Sequence, residues 1–253
     1  PQPGCHGLGD RTLSGGRVVP RALLISHEPE AAPALIGQIL AERGFDITHH
    51  TVLVEPAAPS TDFPDPAAFD VVVAFGSFSN AYDERARAWV EPEVDFIRSM
   101  VDRNVPYLGV CFGGQLLAES LGGHVERAPE EEQEIGLVTF DIDDVLPIPA
   151  GPWFTWHEDR VALPDDVEVL AHNGKAVQLF RHGRAVGTQF HPEADTGVVG
   201  SWVSIGPDHI PEHTSGAQLL QDLEINEARM RRNCEDLVDW FLHDVADLPK
   251  DAA

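Results

Sequence analysis

Apolar residues recur along this chain in two rhythms. From Arg21 a short continuous apolar run over residues 22–26 predicts a strand; residues 30–43 carry apolar positions at helical spacing and stop at Gly44. Residues 45–54 return to a β-rich texture. After a Pro-rich connection, the run Asp70-Val71-Val72-Val73-Ala74-Phe75 predicts a strand covered on both faces, and residues 84–103 predict a helix. A further buried strand over 105–110 leads into a helix over 112–121, which Gly122-Gly123 end. This βα alternation predicts an α/β fold: a mostly parallel central sheet with helices on both faces. Shorter β-type runs follow at 136–142, 167–171, 176–180 and 185–190. A long amphipathic helix over 217–245 closes the pattern, with Leu219, Leu223, Leu237, Phe241 and Val245 on its apolar face.

Composition narrows the function classes. The 253 residues carry 17 Lys and Arg against 42 Asp and Glu, a net charge of −25, and so negative a surface repels nucleic acid and anionic lipid. No apolar run approaches the roughly 18 residues of a membrane span. The cysteines Cys5, Cys111 and Cys234 form no C-x-x-C pair, zinc spacing or disulfide framework, and a reducing cytoplasm is the expected compartment. Residues 1–19, rich in Gly and Pro without an apolar core segment, are expected to be a flexible arm, and residues 20–248 one domain.

The segment Gly109-Val110-Cys111-Phe112-Gly113-Gly114-Gln115 places a cysteine where a buried strand turns into a helix. Such a turn lifts the side chain above the carboxyl edge of the sheet, and Gly109 and Gly113 leave room for it. The unpaired N–H groups and dipole at a helix start favour a thiolate, and the Phe112 amide is a candidate oxyanion donor. The plainer alternative, Cys111 as a small buried hydrophobe, weighs about equally on this segment alone.

Further along stands Gly187-Thr188-Gln189-Phe190-His191-Pro192-Glu193. A cysteine nucleophile needs an imidazole to move protons and a carboxylate to fix its tautomer. His191 and Glu193 stand two residues apart, on one side of an extended segment. Each motif alone has a structural alternative, a strand-end surface histidine and a loop glutamate; in this order after buried strands they reinforce one another.

On these residues the chain resembles the class I glutamine amidotransferases, which carry a Cys-His-Glu triad. The resemblance runs from Arg21 to Glu193 and includes Phe75-Gly76-Ser77, Tyr82-Asp83, Trp89, residues 106–123, Glu134-Ile135-Gly136, Trp156-His157-Glu158-Asp159, Leu163-Pro164 and Gln189 to Glu193. The Trp-His-x-Asp and Gln-Phe-His-Pro-Glu segments are similar to stand-alone proteins resembling the amidotransferase domain of GMP synthase. The resemblance implies a flavodoxin-like class I amidotransferase fold. It also implies attack by Cys111 on the side-chain amide of glutamine, proton transfer by His191, orientation of His191 by Glu193, and substrate binding at Gly76 and Gln115. Without the cysteine turn, Gln115 would read as a capping or exposed polar residue.

Two departures from the family pattern matter. Ser77 stands where relatives commonly have a second glycine, so the second oxyanion donor would be an amide whose residue carries a Cβ; a strained or flipped loop and weak basal glutaminase activity are expected. Phe112 replaces a leucine and is expected to narrow the pocket. Residues 194–216, rich in Gly, Pro and His, carry no family motif and read as a loop.

No metal site is expected: His209-Ile210-Pro211-Glu212-His213 is broken by Pro211, His49 and His50 would point to opposite faces, and Asp141, Asp143 and Asp144 lack a calcium-loop pattern. No nucleotide fingerprint is present and no cofactor is expected, which points to a separate ATP-dependent synthetase as the user of the ammonia. Two alternatives stand beside the glutaminase: an amidohydrolase acting on a γ-glutamyl amine or γ-glutamyl-tagged intermediate, and a non-catalytic scaffold. His157 is expected to hydrogen-bond structurally near the site mouth.

Overall fold

The computed structural model describes residues 19–142 and 145–250; the expected arm lies outside them apart from Val19, as do Asp143 and Asp144. In chain order the elements are β1 (Arg21–Ser26), α1 (Ala34–Glu42), β2 (Asp46–Thr51), β3 (Val71–Ala74), α2 (Arg87–Asp102), β4 (Tyr107–Val110) and α3 (Phe112–Ser120). Then come β5 (His124–Arg127), β6 (Glu134–Val138), β7 (Asp141–Ile142), β8 (Trp153–His157), β9 (Asp159–Ala162), β10 (Glu168–His172), β11 (Val177–His182) and β12 (Ala185–Thr188). The last helices are α4 (Thr196–Ile205) and α5 (Gly216–Trp240), which runs on as a π-helical turn over Phe241–Val245.

Eight strands form the main sheet in the order β2-β1-β3-β4-β12-β11-β10-β7. The first five are parallel and the last three antiparallel. Alternation along β1 explains the layers. Ala22 and Leu24 pack with Ile36, Ile39, Leu237 and Phe241 of α1, α5 and the π-helical turn, whereas Leu23 and Ile25 pack with Val90, Ile97 and Leu116 of α2 and α3. Each fully buried Leu or Ile contributes roughly 1.5–3 kcal/mol, so β1 is held from both sides.

The expected α/β architecture with a C-terminal helix is therefore present, and three local expectations change. Residues 194–216 do not form a plain loop. The Asp195 side chain accepts the Val198 N–H at 2.8 Å and starts α4, whose Val198, Val199 and Trp202 bury against Leu219 and Leu223 of α5. The run at 136–142 splits into β6 and β7, which belong to different sheets. The strands β5, β8 and β9, unforeseen in the apolar pattern, build two small antiparallel pairs, β5 with β9 and β6 with β8.

Register positions the site. Gly109 in β4 lies opposite Ala74 of β3 on one side and Gly187 of β12 on the other. The three strands thus end together, and the segments leaving them carry Gly76, Cys111 and His191 to one edge of the sheet.

Candidate active site

Cys111 sits between β4 and α3 with a φ of 49° and ψ of −103°, a conformation L-residues rarely adopt and which costs about 1–3 kcal/mol. Close packing holds it there. A Cβ on Gly109 would lie 2.4 Å from the Gly113 carbonyl oxygen, and one on Gly113 would lie 2.4 Å from that of Ala74. Only glycine lets β3, β4 and α3 approach this closely. The Cys111 N–H donates to Thr188 O at 2.7 Å, tying the turn to β12. The residue is 8% exposed and opens into a cavity of about 230 Å³ lined by Gly76, Ser77, Gln115, Trp156, His191 and Trp202, among others. That volume is below the roughly 300–1,000 Å³ of drug-sized sites and suits a molecule nearer amino-acid size.

Beyond β12 the chain pairs briefly with β8: the His191 N–H donates to Phe154 O at 2.7 Å. The His191 ring is buried, with Nδ1 2.8 Å from Glu193 Oε1 and its centroid 4.8 Å from that of Trp202. Cys111 lines the same cavity. Burial pulls the imidazolium pKa down, but the Glu193 carboxylate and then the charge and hydrogen bond of Cys111 outweigh it, raising the value to about 10. Glu193 is buried and its Oε2 has no partner among the described residues. The sequence-predicted Cys111, His191 and Glu193 are therefore brought together, with Gly76, Ser77, Phe112 and Gln115 around the same cavity.

The loop after β3 differs from expectation. Ser77 is not among the described non-glycine residues with positive φ, so its Cβ imposes no strain of that kind. Its hydroxyl donates to Glu28 Oε1 at 2.8 Å and accepts the Ser79 N–H at 3.0 Å, which fastens the loop instead of loosening it. Burial pushes the Glu28 carboxyl above its usual range despite these contacts. Phe112 lines the cavity, as expected, but the residue is only 1% exposed and its ring packs on His27 and Trp89.

Three residues were missed from sequence. Gln189 donates from Nε2 to Cys111 Sγ at 3.6 Å; its spacing of two from His191 was the available signal. His27, immediately after β1, places Nε2 3.1 Å from Glu93 Oε2 and Nδ1 2.9 Å from Gly76 O. Glu93 interrupts the apolar stripe Trp89, Val90, Val94, Ile97 of α2, and a buried carboxylate on such a stripe signals a partner.

Around the mouth, His157 hydrogen-bonds structurally, with Nδ1 3.0 Å from Asp159 O and Nε2 3.2 Å from Glu134 Oε2. Asp159 accepts from Asn80 at 2.6 Å and Tyr82 at 2.8 Å, fastening that wall, and burial raises its pKa. His209 lies in a 3₁₀ turn against Glu158.

The family model described as Glutamine amidotransferase class-I matches residues 35–203. The chain belongs to this family. Among curated relatives, a glutamine-hydrolyzing GMP synthase subunit from Sulfolobus acidocaldarius is 34% identical over 134 residues, 49% of this chain and 68% of that one. The glutamine-hydrolyzing GMP synthase of Synechocystis is 34% identical over 131 residues, 48% of this chain but 22% of that protein. The chain thus spans about a fifth of the length of such full synthases. A Thermotoga maritima glutamine amidotransferase structure superposes with a TM-score of 0.77 at 24% identity, covering 90% of this chain and 98% of that one. The Methylobacillus flagellatus glutamine amido transferase gives 0.75 at 22% identity, covering 90% and 96%; at these identities the likeness speaks for the fold. Among the described residues no helix is long and apolar enough to cross a membrane.

Proposed function

We propose that this amidotransferase-family chain is a Cys-His-Glu amidohydrolase that releases ammonia from the glutamine side chain. The observation carrying the reading is the buried His191 ring, bonded at Nδ1 to Glu193 and lining one cavity with Cys111, whose charge helps to raise the ring's pKa. With Nδ1 committed, Nε2 is the proton carrier. The Cys111 thiolate attacks the amide carbon, and the N–H groups of Phe112 and Ser77 donate to the developing oxyanion; no backbone acceptor among the described residues takes either N–H. His191 then gives its Nε2 proton to the departing nitrogen, the C–N bond breaks, and a γ-glutamyl thioester remains. Water attacks the thioester with His191 as base, freeing glutamate and the thiolate. Glu193 holds the ring and supports its charge, while Gly76 and Gln115 shape the substrate side of the cavity. A free thiol of this kind fits a reducing cytoplasm.

The relationship to a protein that is one subunit of a synthase supports a second chain, a synthetase that consumes the ammonia. A second reading draws on the cavity mouth, where Trp156, Trp202 and Ile205 extend the lining beyond the reacting groups. That wall gives a leaving amine larger than ammonia a place to pack, as in a γ-glutamyl amine. Steady-state release of ammonia or amine from glutamine and a γ-glutamyl amide panel decides between them. Mass spectrometry after treatment with a glutamine-like diazoketone tests the chemistry: one adduct, on Cys111, is expected, and a folded protein without any adduct rejects the amidohydrolase reading.

A further inference from the structure

The segment after β3 is held from below by two consecutive residues at the end of β1. His27 donates through Nδ1 to the Gly76 carbonyl, and Glu28 accepts from the Ser77 hydroxyl. His27 is fully buried, edge-on to Phe112 at 4.7 Å between ring centroids, and its Nε2 bridges both oxygens of the fully buried Glu93 at 3.2 and 3.1 Å. With an acceptor at each nitrogen, the ring uses two N–H donors and is therefore charged. Burial opposes that charge, but Glu93 and Glu28 outweigh it and hold the ring's pKa above its usual value.

A trans peptide aims its C=O and N–H in opposite directions. Since the Gly76 carbonyl turns into the core toward His27, the Ser77 N–H on the same peptide turns outward, where Ser77 lines the cavity with Cys111. Reversing that peptide would face a carbonyl oxygen toward the reacting centre and lose the imidazolium bond. We propose that His27, charged through its pair with Glu93, is a positioning residue that locks the Gly76–Ser77 peptide with its N–H toward the oxyanion. The inference builds on the amidohydrolase reading. It adds that the oxyanion site is preformed within this chain, without a partner to turn the peptide.

The test compares two double variants. Replacing a buried ion pair by apolar residues of similar volume commonly preserves folding, whereas removing one partner strands a charge, so His27→Leu/Glu93→Met is the informative knockout. His27→Asn/Glu93→Gln places an amide N–H where Nδ1 was. The knockout is expected to lower kcat about 10²–10³-fold, the effect of losing one oxyanion donor, with KM changed less than threefold. Its rate of Cys111 alkylation by iodoacetamide, which forms no oxyanion, is expected to change less than threefold. The Asn/Gln pair is expected to recover at least tenfold in kcat over the knockout. A crystal structure of the knockout reads the peptide directly, and its reversal is the expected result. A knockout with kcat within threefold of the parent, or one whose structure keeps the peptide unchanged, overturns the proposal. If the parent hydrolyses neither glutamine nor any γ-glutamyl amide, the functional reading fails on its own account, and the peptide's direction still decides the role of His27.

Discussion

Cys111 holds an unfavourable backbone conformation beside the cavity it shares with His191, and the chemistry proposed for it is specific to its sulfur. Cys111→Ala is expected to reduce ammonia release by about 10⁴-fold or more while thermal unfolding stays within a few degrees of the parent. Retention of a tenth of the parental rate would count against a covalent route. Glu193→Gln leaves a ring acceptor but removes the charge that most strongly supports the imidazolium, and a fall in kcat of about 10²–10⁴-fold is expected. Because His191 is raised to about 10 from an ordinary 6.5, its pairing stabilises the fold fully below about pH 6.5 and is lost as pH rises through about 10. In the proposed reaction, the proton needed by the leaving group disappears over the same upper range. The alkaline limb of kcat/KM is expected near pH 10 in the parent and at lower pH in Glu193→Gln; coincident limbs would dissociate the carboxylate from the proton carrier. At this scale the candidates Cys111, His191 and Glu193 could be picked out because each stands in a distinctive local pattern, a strand-to-helix cysteine and a His-Pro-Glu segment. His27 could not: it follows an apolar strand as any edge residue might, and its meaning comes from Glu93, which lies 66 positions away.

Among the elements, strong periodicity revealed α2, α3 and α5, while α4 was hidden by Gly197, Gly200 and the prolines beyond it. The signal for α4 was Asp195, whose side chain caps the first turn. The strands β5 and β9 were obscure for a different reason: their pairing buries little, so polar residues such as Glu126 and Arg160 face each other and no apolar alternation survives. Asp195→Ala is expected to cost about 1 kcal/mol in urea unfolding and to speed amide exchange across the start of α4, whose Trp202 rests against the His191 ring. An unchanged unfolding midpoint would mean that packing on α5 alone sustains the helix.

Across the whole molecule, the net charge of −25 creates a general self-repulsion that no single ion pair removes. Moderate salt screens it. Raising NaCl from about 10 to about 300 mM is expected to lift the thermal midpoint by about 2–4 °C, the shift that accompanies roughly 1 kcal/mol in a chain of this size. A flat or falling midpoint would place the dominant electrostatics in favourable local pairs such as Arg43 with Asp239. The sheet's two margins carry another consequence. One ends in β7, only two residues long, and the other in β2, whose sequence Asp-Ile-Thr-His-His-Thr is polar at all positions but one. Among the described residues, neither border offers a long, flat, greasy ribbon to a neighbouring molecule, so concentrated solutions should resist strand-to-strand growth into fibrils.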